Sequence, residues 1–208
     1  MKIALLGPPG SGKGTQGKML AADLKIPYFS TGDAFRETKD EDIKKYLKEG
    51  RLVPDDVVFK IVIDFINDKD SYILDGYPRS VNQAIMLDDF LDSRKERLDL
   101  VLNIIVSDDE IIERLTNRYI CKNCNMIYNL RTNPPKKDFI CDVCGNRIVK
   151  REDDKEEVIR KRIKIYYDET QPIIDYYKKK SILKEVDGNE KPKIVFEIIR
   201  NLITNGQK

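Results

Sequence analysis

The 208-residue sequence is long enough to bury one sizeable core and to carry small inserted lobes. Its 38 lysines and arginines nearly balance 36 aspartates and glutamates, which gives no electrostatic case for a dedicated nucleic-acid-binding protein. Histidine is absent, so imidazole bases and histidine-ligated metals are excluded, and no apolar run has the length of a membrane span.

The chain begins with an apolar stretch, a glycine-rich loop and a helix-forming stretch in direct succession. Residues 3–6 lead into the loop Gly7–Gly12, and Lys13 precedes the predicted helix. This order is typical of a P-loop, whose backbone N–H groups surround a phosphate while the lysine reaches the outer phosphates of a nucleotide. A serine or threonine that helps to hold Mg²⁺ normally follows the lysine, but here Gly14 follows and the hydroxyl comes at Thr15.

A small helical lobe is predicted after a second short strand at Ile26–Ser30. Thr31–Asp33 has turn and helix-capping residues, a polar helical stretch runs to about residue 49, and a new helix is predicted over Pro54–Ile66. Arg36 is the arginine of interest in this lobe. An isolated arginine is usually a solvated surface charge, so the residue alone does not indicate a site.

Asp75 comes at the end of the third predicted strand, Ser71–Asp75. Ligands of open α/β sheets bind at the carboxyl ends of the strands, so Asp75 is a candidate to meet Mg²⁺ directly or through its water. A capping aspartate in a turn is the alternative interpretation.

A continuous apolar run at Leu100–Val106 predicts a strand buried on both faces, and Ser107 caps the helix that follows. We predict that Arg114 and Arg118 lie on one side of this helix near its C-terminal end. With no acid between them they repel each other unless an anion is close, although arginines at helix ends are common.

Two cysteine pairs, Cys121 with Cys124 and Cys141 with Cys144, are separated by 16 residues. This spacing predicts a tetrahedral site of four thiolates, which has no open position for water and is therefore structural. The insert is too short to bury a core of its own, so the metal would replace one. Zinc and iron both remain possible, and a free-standing zinc ribbon that binds nucleic acid is the rival interpretation.

A helix is predicted over residues 155–169. Arg162 borders its apolar face, and an arginine in such a position indicates that an anionic partner lies nearby. Arg151 precedes this helix, as do Asp153 and Asp154, which are equally suited to cap it. A last strand at 182–186 and a closing helix at 193–203 complete the predicted elements.

Three segments together resemble the nucleoside monophosphate kinases, and the adenylate kinases in particular: the P-loop variant Gly7–Thr15, the run Asp75–Arg79 and the segment Arg151–Arg162. The resemblance covers essentially the whole chain in order. It implies a phosphotransferase that moves the terminal phosphoryl group of ATP reversibly to AMP, with Mg²⁺, to give two ADP.

The resemblance also implies roles for single residues. The implied ATP contacts are Gly10, Ser11, Gly12, Lys13, Gly14, Thr15, Arg114 and Arg118. The implied AMP contacts are Thr31, Arg36, Val53, Arg79, Gln83, Arg151 and Arg162, with Gln83 reading the adenine edge. The implied catalytic cations are Lys13, Arg79, Arg118, Arg151 and Arg162. Asp75 would bind Mg²⁺ directly or through its water. A lid like that of the longer family members would hold Zn²⁺ on Cys121, Cys124, Cys141 and Cys144.

The elements and the resemblance together predict an α/β P-loop fold of three layers with a five-stranded parallel sheet. The predicted core comprises residues 1–29, 60–118 and 155–208, with a helical NMP-binding lobe at 30–59 and a zinc-knuckle lid at 119–154. We expect a cytoplasmic monomer that binds ATP, AMP and ADP and has neither a membrane nor a nucleic-acid partner.

Three alternatives stay open. One is a GTP:AMP phosphotransferase or another nucleoside monophosphate kinase, because donor choice in this family rests on backbone contacts. Another is a P-loop hydrolase or switch, although no Asn-Lys-x-Asp guanine-reading motif is found. The last is a nucleic-acid-binding zinc protein that merely binds ATP, against which the near-neutral charge argues.

Overall fold

A five-stranded parallel sheet lies at the centre of the computed structural model, which describes residues 1–205. Its strand order is β2-β3-β1-β4-β8. The strands are β1 (Lys2–Leu6), β2 (Tyr28–Ser30), β3 (Tyr72–Asp75), β4 (Leu100–Ile105) and β8 (Leu183–Asp187). The central strand β1 pairs with β3 and β4, so its carboxyl end lies beside Asp75.

Helices cover both faces of this sheet, because alternate strand residues point into two separate hydrophobic cores. In β1, Ala4 and Leu6 face one core, and Ile3 and Leu5 face the other. The first core is closed by α4 (Asp55–Ile66), α5 (Val81–Ser93) and α8 (Pro172–Lys179). The second is closed by α1 (Lys13–Leu24), α6 (Asp108–Thr116), α7 (Glu156–Ile165) and α9 (Pro192–Asn205). The predicted α/β fold with a five-stranded parallel sheet is confirmed.

Two small units interrupt this core. The first comprises α2 (Thr31–Glu37) and α3 (Glu41–Lys48), which lead into α4. The second is an antiparallel sheet of order β6-β5-β7, formed by β5 (Arg118–Cys121), β6 (Ile127–Asn129) and β7 (Ile148–Val149). Its own buried cluster has only four members, Cys121, Tyr128, Cys141 and Ile148. Within the described residues, no helix combines the length and apolar character needed to cross a bilayer.

Two predictions of local structure are wrong. Arg118 is not on the helix with Arg114, because α6 ends at Thr116 and Arg118 begins β5, where it pairs with Asn129. The helix predicted over 155–169 ends at Ile165, and a π-helical turn, Tyr166–Thr170, joins it to α8. Pro172 has no N–H for the preceding turn and its ring crowds the carbonyl four residues back, which favours the wider turn.

Candidate active site

The loop between β1 and α1 forms one wall of a cleft at the carboxyl end of the sheet. Gly7 approaches β4 so closely that a Cβ there would lie 2.5 Å from the carbonyl oxygen of Ile104. Gly12, at φ 98°, supplies the left-handed turn from which α1 begins at Lys13. The loop thus places the N-terminus of α1, with its free N–H groups, at the carboxyl end of the central strand. This arrangement favours the binding of an anion.

Lys13 folds its side chain into this loop. Its Nζ donates hydrogen bonds to the carbonyl oxygens of Gly7 (2.7 Å) and Pro8 (2.8 Å). Burial lowers the pKa of the Lys13 ammonium to about 7, the charge of Asp75 opposes that effect, and the charge of Arg79 adds to it. A phosphate in the loop would favour the charged form of this lysine.

Asp75 ends β3 next to the phosphate loop, and its Oδ2 accepts a hydrogen bond of 2.6 Å from the hydroxyl of Tyr28. Within residues 1–205, no other side chain donates to this carboxylate. A Cβ at Gly14 would lie 3.3 Å from Asp75 Oδ2, a tight contact that leaves little room for a larger residue after Lys13. The carboxylate and the Thr15 hydroxyl are oxygen donors of the kind that Mg²⁺ prefers, so the residues present fit this ion.

Arg79 lies across the turn that follows Asp75. Its Nε donates to the carbonyl oxygen of Gly76 at 2.8 Å, and the hydroxyl of Thr31 donates to the same oxygen at 2.8 Å. Burial lowers the pKa of Arg79 to about 10, and the charge of Arg162 adds to this effect. Arg36 is half-buried and donates to Asp33 Oδ1 at 2.5 Å. The structure therefore places Thr31 and Arg79 at the turn after Asp75, and the charge of Arg36 is close enough to act on Arg79.

The Gln83 amide is engaged by the chain itself. Its Oε1 accepts from the backbone N–H of Arg79 at 2.7 Å, and its Nε2 donates to Asp55 Oδ1 at 2.7 Å. Reading of an adenine edge by Gln83 stays a prediction. The two bonds leave one N–H and one oxygen lone pair of the amide unused, and the side chain is buried. Val53 is buried in the core that α4 and α5 share.

Two of the arginines from the lid and its edge are held by neighbouring aspartates. Arg118 forms a bidentate pair with the fully buried Asp154, with Nε and Nη2 at 2.8 and 2.6 Å from its two carboxylate oxygens. Arg162 Nη1 lies 2.9 Å from Asp153 Oδ2. Arg151 differs, because its Nε is buried and has no hydrogen-bond partner among residues 1–205. Burial and the charges of Arg118 and Arg36 lower the pKa of Arg151 to about 9.

Arg114 occupies a different part of the cleft. Its Nε donates to Glu110 Oε1 at 2.6 Å, and its Nη2 donates to the carbonyl oxygen of Gly188 at 2.8 Å. No acid lies between Arg114 and Arg118 in the sequence, and each arginine pairs with a carboxylate elsewhere, Arg114 with Glu110 and Arg118 with Asp154. Arg114 instead connects α6 to the loop that follows β8.

Six cations, here called the cationic cluster, converge on one cleft. They are Lys13, Arg36, Arg79, Arg118, Arg151 and Arg162. Burial lowers the pKa values of Lys13, Arg79, Arg151 and Arg162, and the charges of neighbouring cations in the cluster add to this effect. Four carboxylates lie among them, those of Asp33, Asp75, Asp153 and Asp154. The cluster is thus left with a net positive charge, which suits a polyphosphate ligand.

The four cysteine sulfurs of the lid form a second candidate site, and all lie within 4.8 Å of one another. The Sγ atoms of Cys121 and Cys144 are 3.4 Å apart, and those of Cys124 and Cys141 are 3.5 Å apart. Disulfide sulfurs are separated by only about 2.05 Å, whereas tetrahedral Zn–S bonds of about 2.3 Å place sulfurs about 3.8 Å apart. The four thiols therefore fit a Zn²⁺ ion and not two disulfides.

Two residues of the site were not foreseen from the sequence, Tyr28 and Asp33. Asp33 accepts from Arg36 one helical turn away, an i,i+3 spacing that the sequence does show. Tyr28 has no motif of its own. The available signal was Gly17 inside the predicted helix, because a glycine there often makes room for a neighbouring group.

The matching family model and the similar proteins all point to the same family. A family model described as adenylate kinase matches residues 5–182. A protein named adenylate kinase from Caldanaerobacter subterraneus subsp. tengcongensis is 43% identical over 217 residues, covering 100% of this chain and 98% of its own length. Proteins of the same name from Clostridium perfringens (strain SM101 / Type A) and Thermoanaerobacter sp. (strain X514) are each 44% identical over 212 residues, covering 98% of both chains.

Proposed function

The chain belongs to the adenylate kinase family of phosphotransferases, and we propose that it transfers the terminal phosphoryl group of Mg·ATP reversibly to AMP, giving two ADP. The observation that carries this proposal is the cationic cluster around the phosphate loop. Bringing the phosphates of two nucleotides together needs several fixed cations, since their mutual repulsion opposes the reaction.

Within this proposal, the P-loop residues Gly10–Thr15 hold the phosphates of ATP, with Lys13 on the outer ones. Arg118 approaches the same phosphates from the lid side. Mg²⁺ would be held by the oxygen donors of Asp75 and Thr15, and it supplies charge neutralisation between the ATP phosphates. The support is the position of Asp75 at the end of β3, directly beside β1 and its loop.

The acceptor phosphate is assigned to Arg36 and Arg79, with Thr31 at the same turn. Arg151 and Arg162 stand between the two nucleotides, where charge moves during transfer. The unpartnered Nε of Arg151 supports this assignment, since a buried donor without a partner in the chain is suited to an anionic ligand. Because the acceptor phosphate is already an anion, no base is needed, and the absence of histidine is no obstacle.

The donor base is assigned to the region of Arg114 and the loop after β8. Arg114 holds the carbonyl oxygen of Gly188, so that the backbone of this loop is fixed next to the guanidinium plane. Backbone contacts of this kind do not by themselves distinguish adenine from guanine. We therefore keep GTP:AMP phosphotransferase activity as the second candidate.

Water has to be excluded, since otherwise ATP would be hydrolysed. The lid carries Arg118 at its base, and the helical lobe touches the lid through a hydrogen bond from Asn125 Nδ2 to Glu37 Oε1 of 3.1 Å. We propose that these two units, at 119–154 and 30–59, close over the substrates, and that a structural Zn²⁺ on the four cysteines keeps the lid folded.

A coupled assay with a panel of nucleotides tests this function. Mg·ATP and Mg·GTP are offered as donors, each with AMP, UMP, CMP or GMP as acceptor, and ADP or GDP formation is followed. We expect rapid formation of ADP with the pair Mg·ATP and AMP. Faster transfer from GTP, or to another monophosphate, would replace this assignment by the second candidate. The cytoplasmic location and the monomeric state remain predictions, and size-exclusion chromatography tests the latter.

A further inference from the structure

We propose that Tyr28 is a positioning residue for Asp75, holding Oδ2 of the carboxylate by a hydrogen bond so that Oδ1 remains for a metal ion or its water. The inference rests on the proposed function, because it takes Asp75 as the carboxylate that serves Mg²⁺. The hydroxyl oxygen of Tyr28 lies 2.6 Å from Asp75 Oδ2, within the range of short O–H···O⁻ bonds.

The sheet register brings the two side chains together. Tyr28 in β2 lies opposite Ile73, and Ser30 lies opposite Asp75. Because alternate residues of a strand point to the same face, Ile73 and Asp75 share a face of the sheet. The tyrosine ring extends along that face from the level of Ile73 to the carboxylate, a distance that a shorter side chain would not cover.

Gly17 in α1 makes room for this ring. A Cβ at Gly17 would lie 2.4 Å from Tyr28 Cε2 and 2.9 Å from Leu5 Cδ1. A Cβ at Gly14, one turn earlier, would lie 3.5 Å from the Tyr28 hydroxyl oxygen. Glycine is unfavourable in the interior of a helix, so this arrangement stabilises the position of Tyr28 at the expense of the helix.

The phenol of Tyr28 is the donor in this bond, because a carboxylate oxygen can only accept. A carboxylate with one oxygen held by a fixed donor needs no reorientation when its ligand arrives, and groups behind a metal ligand commonly act in this way.

The test compares Tyr28→Phe with Asp75→Asn and with the double variant. The measurement is the gain in ATP affinity that Mg²⁺ gives, obtained by calorimetric titration of ATP with and without Mg²⁺, in the absence of AMP. We expect Tyr28→Phe to reduce this gain by about 10-fold, because partners of metal ligands have effects of that size. The double variant should lose no more than Asp75→Asn alone, since both substitutions remove the same interaction.

Tyr176→Phe is the matched control, because the Tyr176 hydroxyl donates to Asp88 Oδ2 at 2.8 Å and its ring packs in the core on the opposite face of the sheet from α1. It should keep the wild-type gain from Mg²⁺. In the steady state, Tyr28→Phe should need more Mg²⁺ for half-maximal activity while its KM for AMP at saturating Mg²⁺ stays unchanged. Thermal melting of each variant checks that the fold is intact.

Three outcomes would overturn the inference. If Mg²⁺ increases the ATP affinity of Tyr28→Phe as much as that of the wild type, but not that of Asp75→Asn, the role of Tyr28 is refuted and that of Asp75 is kept. Additive losses in the double variant would show that Tyr28 acts separately from Asp75. A wild-type gain in Asp75→Asn would remove the assignment of Asp75 in the proposed function, and the inference with it.

Discussion

At the scale of single residues, the partners of the arginines decide how the cleft is built. The sequence identified the six cations of the cluster, but it could not show that Arg118 is held by Asp154, 36 residues away. Such pairs depend on tertiary folding, and no local spacing signals them. The buried Nε of Arg151 is likewise visible only in the folded chain.

The proposed contact of Lys13 with ATP predicts that ATP binding depends on pH. Its pKa in the folded chain is about 7, below its ordinary value of 10.5, and bound phosphates raise it by favouring the charged form. ATP binding at pH 8 should therefore take up part of a proton, and ATP affinity should fall as pH rises from about 7 to about 9. Calorimetric titration at pH 8 in two buffers with different ionisation enthalpies measures this uptake.

The variant Lys13→Met supplies the control for that titration, because it removes the titrating group and should abolish the difference between the buffers. Equal binding heats for the unmodified protein in both buffers at pH 8 would contradict the prediction.

Asp154→Asn should lower both stability and rate. The substitution breaks a bidentate pair whose carboxylate is fully buried, so we expect the free energy of unfolding to fall by about 1–3 kcal/mol. Arg118 also loses its orientation, and we expect kcat to fall by about 10- to 100-fold. Denaturant unfolding and the steady-state assay measure the two effects.

Asp88→Asn is the matched control for this prediction. Asp88 is also buried and accepts hydrogen bonds from Tyr176 and Lys180, but it lies outside the cleft. It should lose stability with little change in kcat. A similar loss of kcat in both variants would mean that Asp154 acts through stability alone.

At the scale of the elements, hydrophobic patterns predicted the five parallel strands and most of the helices. The errors occur where tertiary contacts or a proline override the local sequence pattern. Arg118 begins a strand because β5 pairs with β6. The α-helix after residue 155 gives way to a π-helical turn before Pro172. The short strands of the lid gave little signal of their own, because they bury few residues and depend on the cysteine site.

Cys124→Ser tests whether a metal holds the lid. The thiol is exposed, so its loss removes little packing, and any destabilisation reports on the four-thiolate site. We expect bound Zn²⁺ to fall from about one per chain to nearly none, as four thiolates bind one ion. A loss of about 2 kcal/mol would lower the melting temperature by roughly 4–8 °C in a chain of this size.

Val143→Ser is the control, because Val143 is 67% exposed in the same knuckle and the substitution leaves all four thiols in place. Metal content by mass spectrometry and melting by circular dichroism are measured together. An unchanged melting temperature in metal-free Cys124→Ser would rule out a structural role for the metal.

At the scale of the whole molecule, the lid and the helical lobe meet across the cleft. Asn125 of the lid donates to Glu37 of the lobe. The lobe also lies against the core, since a Cβ at Gly50 would be 3.0 Å from Arg162 Cγ in α7. The sequence predicted both inserted units but could not show that they touch. Their predicted boundaries, 30–59 and 119–154, stay a prediction.

Glu37→Ala removes the hydrogen bond between these units. If reopening limits turnover, the variant should raise kcat by up to about fivefold and raise KM as well, since an exposed contact is worth at most about 1 kcal/mol. Glu41→Ala, which breaks an exposed pair with Lys44 inside the helical lobe, should change neither value. A lower kcat in Glu37→Ala would contradict this role for reopening.

The most direct test of the phosphotransferase account is a single-turnover experiment with Mg·ATP labelled at the terminal phosphate, in the presence and absence of AMP. Transfer predicts that with AMP the label appears in ADP, and that without AMP almost no labelled inorganic phosphate forms, because the cleft excludes water. Label released as inorganic phosphate at a similar rate with and without AMP would contradict the account and identify the protein as a hydrolase.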